Sequence, residues 1–221
     1  MDKLLHTVAI IFFLSFTAQA HAQTYAFGGS TESAILTLTF DNGTSDAVEA
    51  TSQGWWSTTA ANFRGNNNVI TGSMFGTQWN DFFVFDLTGL TGTVTAASIG
   101  LNTKYVAGTP SVALWDVTTP LSALENIDNG PDRAIYADLG SGTLYGDAIP
   151  VTTGNTHISL ALNSAGIVAV GNALGGSFAI GGSANTDIPE PSGLFPLLPA
   201  LTGVWAARYR FRQASKRSAL S

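Results

Sequence analysis

Asp81-Phe82-Phe83-Val84-Phe85-Asp86-Leu87 is apolar at every position between its two acids. Side chains of a strand alternate between faces, so apolar residues of both parities predict a central strand covered on both sides. Working outward, residues 93–105 alternate. Ala97, Ile99, Leu101, Thr103 and Tyr105 fall on one face, and Ser98, Gly100, Asn102 and Lys104 on the other. That pattern predicts a half-buried strand. Upstream, Ile35–Phe40 alternates and ends at Asp41-Asn42-Gly43, a strong turn signal. Residues 62–68 are polar and contain Gly, so they read as a loop.

Downstream, 111–117 predicts a strand, and 134–139 and 142–151 two weaker ones. In 157–162, Ile158, Leu160 and Leu162 are expected inward, and His157 outward and solvated. Residues 177–180 predict a last strand. Two short helices are expected. One starts at Thr119 as cap with Pro120 first in the helix. The other is capped by Ser164, buries Ile167, Val168, Val170 and Leu174, and stops at Gly175. The echo Phe85-Asp86-Leu87-Thr88 and Trp115-Asp116-Val117-Thr118 reads as turn chemistry, its Asp and Thr bonding backbone amides. These segments predict an all-β fold, a single jelly-roll-like β-sandwich.

Composition agrees. The chain has 221 residues, 11% charged and 45% hydrophobic, with 24 Gly and no Cys. Ser and Thr make up about a fifth of it. Such a chain is too apolar for disorder and too rich in Thr, Val and Gly for a helical bundle. The absence of Cys excludes disulfides, thiolate nucleophiles and Cys-based zinc sites.

The ends differ from the middle. Residues 1–22 carry Lys3, an apolar run, and the small-x-small sites Ala18-Gln19-Ala20 and Ala20-His21-Ala22. This predicts a cleaved signal peptide. Residues 187–221 contain Pro189-Glu190-Pro191, a charge-free apolar stretch at 193–207, and then Arg208, Arg210, Arg212, Lys216 and Arg217. Fifteen helical residues at ~1.5 Å rise span about 22 Å, short of a roughly 30 Å hydrocarbon core. Pro196 and Pro199 weaken a helix further, so the segment suits temporary insertion, with the basic end cytoplasmic. The domain between, residues 23–186, holds only Arg64, Lys104 and Arg133 as cations. Over 23–188 these three cations stand against thirteen acids, a net charge of −10. An acidic surface repels phosphate backbones, which excludes nucleic acid as a partner.

The tail resembles the PEP-CTERM sorting signal of Gram-negative envelope proteins. The resemblance rests on Pro189, Glu190 and Pro191, the apolar segment, and Arg208, Arg210 and Arg212, and covers about the last 30 residues. It implies export through the Sec translocon, transient inner-membrane insertion through a C-terminal hydrophobic sorting helix, and processing by an exosortase near Pro-Glu-Pro. The product is then expected at the cell surface or in the extracellular matrix, in the setting of exopolysaccharide or biofilm.

Catalytic signatures are missing from the sequence. There is no Gly-x-Ser-x-Gly and no phosphate-binding Gly-x-x-x-x-Gly-Lys, and His157 is the one histidine of 23–186. The expectation is a non-catalytic protein without a cofactor. A secreted glycan-active enzyme or carbohydrate-binding module is the second reading, since acids for glycoside hydrolysis are placed by the fold and not by spacing. For glycan binding the candidates are Trp55, Trp56 and Trp79, with Asn62, Arg64 and residues 66–68 nearby. Adjacent Trp55 and Trp56 would face opposite ways on a strand. For calcium, the weak candidates are Asp128, Asp132 and Asp138, around an Asn-Gly turn.

Overall fold

The computed structural model describes residues 23–29, 32–63 and 65–185. They form ten strands: β1 Thr24–Gly28, β2 Ile35–Phe40, β3 Ser45–Ser57, β4 Val69–Met74, β5 Thr77–Asp86, β6 Val94–Ala107, β7 Ser111–Asp116, β8 Leu144–Pro150, β9 Thr156–Ala161 and β10 Ser177–Asn185. The helices are α1 Leu121–Leu124, α2 Arg133–Asp138 and α3 Ser164–Ala173, with one 3-10 turn at Ile127–Asn129. Every strand pairing is antiparallel. The described chain is therefore all-β with few helices.

Two long strands bend the sheet onto itself. β3 pairs β2 through 45–49 and β5 through 50–57. β6 carries β2 along 94–100, β1 along 103–107 and β9 along 98–103. The pairings β3-β2-β6-β1-β4-β5 return to β3, and β10, β7 and β8 continue from β5. Leu36, Leu38, Ala97, Ile99 and Leu160 thereby share one core with Phe83, Phe85, Val112, Leu114, Phe178 and Ile180.

The other face of β5 is covered as well. Phe82 and Val84 pack in a second cluster with Trp56, Leu124, Ile127, Ile135 and Leu139. The last four come from the segment between β7 and β8, which folds as α1, the 3-10 turn and α2. This layer is why residues 82–85 are apolar at both parities.

The expected β2 and its turn are present. Phe40 and Thr44 close the turn (N to O, 2.9 Å), and Asn42 Oδ1 accepts from Thr44 N at 2.9 Å. Asp86 Oδ1 accepts from Thr88 N at 2.9 Å, the expected local turn bond, whereas Asp116 Oδ1 reaches across to Thr143 N at 2.6 Å. In β6, Ala97, Ile99 and Thr103 are buried and Leu101 packs partly, but Tyr105 on the same face is 57% exposed.

Several expectations need correction. Residues 134–139 are not a strand. Asp132 caps α2 there, accepting from Ala134 N (2.8 Å) and Ile135 N (3.1 Å). Ile135 and Leu139 lie four apart, so a helix turns both onto the second cluster. Pro120 sits at the cap of α1 rather than inside it, and the Thr119 hydroxyl donates to Asp138 Oδ2 instead (2.7 Å). Asn163, not Ser164, caps α3 by accepting from Gly166 N at 3.0 Å. On that helix Val170 is buried while Val168 is 62% exposed. β10 runs past residue 180 to Asn185, because it lies between β5 and β7 and pairs both. β1, β4 and the first half of β3 carry no strand expectation from the sequence.

Candidate functional site

The three tryptophans do not make one exposed platform. Trp55 and Trp56 point to opposite faces of β3, as alternation requires. Trp56 is 3% exposed, and its Nε1 donates to Leu124 O at 2.9 Å. Trp79 is 7% exposed and meets Trp55 edge to face, with ring centroids 6.5 Å apart and planes at 84°. A sugar cannot lie flat across both rings. Only Trp55 keeps exposed surface among the three. The neighbouring amides serve the loop: Asn62 Nδ2 donates to Trp55 O (3.1 Å), and Asn66 Nδ2 to Asn62 Oδ1 (2.7 Å). Arg64 lies outside the described residues, as do the sorting residues Pro189, Glu190, Pro191, Arg208, Arg210 and Arg212 and the segment read as a signal peptide.

Asp132 and Asp138 are engaged in the fold. Asp132 caps α2, and Asp138 accepts from Thr118 N (3.0 Å), Thr119 N (2.8 Å) and both threonine hydroxyls. Burial pushes the Asp138 carboxyl up, but these bonds outweigh it and hold it below the usual carboxylate range. Among the described residues, no three acidic or histidine side chains gather as a metal site.

The most perturbed acid is Asp81, which sequence reading left as one acid among many. It lies opposite Trp55 in the ladder and shares the inner face with Phe83 and Phe85. It is 5% exposed, and its Oδ1 has no hydrogen-bond partner. Burial pushes the carboxyl up to about 8. Thr71, Thr103, Ala26 and Leu114 line a cavity of about 10 Å³ beside it, the size of one water, and among the described residues no second charged group lies on its wall. Gly182 on β10 abuts the carboxylate, where any Cβ would collide with Oδ1. The site is too enclosed for a substrate.

The accessible polar site lies elsewhere, in a groove of about 420 Å³ on the outer side of the β6–β9 pair. Asn102 faces His157 in the ladder. Asn102 Nδ2 donates to Glu32 Oε2, and its Oδ1 meets His157 Nδ1 at 3.1 Å. The imidazole lies against Gly100, where an added Cβ would stand 2.9 Å from Cε1. Lys104, Asn155 and Thr156 complete the groove. Gly154 packs against the Lys104 carbonyl, and Asn155 has a left-handed φ of 52°. Among the described residues that line the groove there is no serine for His157 to activate. The outward parity of Asn102, Lys104 and His157 was readable from sequence. Their meeting with Glu32 depends on strand register, which was not.

No protein-family model matches the chain, and comparison with curated proteins and with solved structures finds no match.

Proposed function

We propose that the chain is an exported, non-catalytic protein of the cell surface or extracellular matrix, sorted by an exosortase system. Its body is a jelly-roll-like β-sandwich that carries the function after processing. The observation behind this reading is the order at the C-terminal side: Pro189-Glu190-Pro191, a charge-free stretch at 193–207, then five basic residues. The signal-peptide pattern of 1–22 adds to it. No helix among the described residues is long and apolar enough to cross a membrane. Among the described residues that line the outer groove, Glu32 is the one carboxylate, whereas glycoside hydrolysis needs two, which weighs against the glycan-active enzyme.

The test is pulse-labelling and fractionation in a host with an exosortase. Wild-type chain should pass from the membrane to the surface or medium as a shortened product. A variant carrying Pro189→Ala, Glu190→Ala and Pro191→Ala should accumulate as membrane-bound precursor. Equal release of both chains would remove the motif from the account.

A further inference from the structure

We propose that the groove between β6 and β9 binds a neutral saccharide, with Asn102 holding His157 so that Nε2 accepts a sugar hydroxyl. The proposal gives a ligand class to the surface module proposed above and rests on that reading for its setting.

The hydrogen-bond roles follow in one direction. The Glu32 carboxylate can only accept, so the Asn102 amide nitrogen turns to it. The amide carbonyl then faces His157 Nδ1 at 3.1 Å and can only accept, so Nδ1 carries the proton. In the neutral imidazole this leaves the lone pair on Nε2. Gly100 leaves room for the Cε1–Nε2 side of the ring, where an added Cβ would stand 2.9 Å from Cε1 and 3.0 Å from Nε2, which fixes the ring's position. Lys104 supplies an ammonium donor and Asn155 an amide, while Glu32 retains oxygen lone pairs. The groove thus offers both donors and acceptors, as sugar hydroxyls require, because each one both donates and accepts.

Other ligand classes fit less well. The wall is polar and offers an apolar molecule little to bury against. A phosphorylated or polyanionic ligand would meet Glu32 and a stretch, 23–188, of net charge −10. The volume lies within the range of small-ligand sites, about 300–1,000 Å³.

The experiment probes the full chain on immobilised neutral gluco-, galacto- and manno-oligosaccharides, with uronic-acid oligosaccharides as the anionic comparison. At least one neutral series should be retained, more strongly than the uronic-acid series. His157→Ala and Asn102→Leu should each weaken retention roughly tenfold, about the net value of one hydrogen bond. Gly100→Ala, which pushes the ring aside without removing it, should weaken it too. Trp55→Ala should bind as wild type. Both His157 and Asn102 are exposed, so their variants should melt with the wild-type chain. The proposal is overturned if no neutral oligosaccharide is retained, if His157→Ala and Asn102→Leu bind undiminished, or if Trp55→Ala alone abolishes binding. Processing of the tail is read separately by mass. A correctly processed protein that binds no oligosaccharide removes this inference and leaves the sorting reading standing.

Discussion

Asp81→Asn will stabilise the fold relative to wild type by an amount that grows from pH 4 to pH 8. The Asp81 carboxyl is pushed from 3.8 up to about 8 by burial, and its Oδ1 has no hydrogen-bond partner. Below pH 3.8 the folded and unfolded chains both hold the proton, and the group adds no pH dependence. Between 3.8 and about 8 the unfolded chain has lost the proton while the folded chain keeps it, so folding takes up a proton and weakens as pH rises. Above about 8 both forms are ionised and the loss is complete. At about 1.4 kcal/mol per pH unit, the full window costs wild type roughly 6 kcal/mol. That is comparable to the whole stability of a typical domain. Asn has nearly the same shape and cannot ionise, so it should escape this loss. Denaturant unfolding of both proteins at pH 4.5, 6, 7.5 and 9 should show the gap widening and then levelling. Parallel curves across that range would mean that Asp81 ionises normally in the folded protein.

Trp56→Ala should cost about 3–5 kcal/mol, the usual value for removing a buried indole. Trp56 contributes the largest side chain of the cluster between β5 and the α1–α2 segment, and its Nε1 holds Leu124 O. Its removal leaves that carbonyl without its donor and exposes Phe82 and Val84. Trp55→Ala should cost much less, because part of its ring faces solvent. A urea titration of the two variants beside wild type decides this. Similar midpoints for the two would place Trp56 outside the core.

The tryptophan assignments show where sequence reading stopped. The run at 82–85 is apolar at both parities and therefore announces a strand with two covered faces. The same layer that covers Phe82 and Val84 also covers Trp56, yet nothing in Trp55-Trp56 says which ring it reaches. That depends on Trp56 pairing with Asn80 and on α1–α2 folding over the pair. β2 was legible because its inward leucines alternate with threonines. β3 was not, because residues 45–47 face solvent and its early positions are filled by polar or small side chains. Residues 134–139 misled for a different reason. Ala-Ile-Tyr-Ala-Asp-Leu is compatible with either period, and the Asp132 cap decides for the helix. Glu32, Asn102 and His157 are distant in sequence, and only the β6–β9 register and the approach of residue 32 bring them together. The sorting tail is the opposite case, since its reading depends on the order of residues along the chain and needs no register.

Intact mass spectrometry of the protein recovered from the host's surface and medium reads the processing of both ends. The account predicts a product that begins near Gln23 and ends close to Pro189-Glu190-Pro191, without Arg208, Arg210 or Arg212. A mature product that retains residues 208–221 would contradict it.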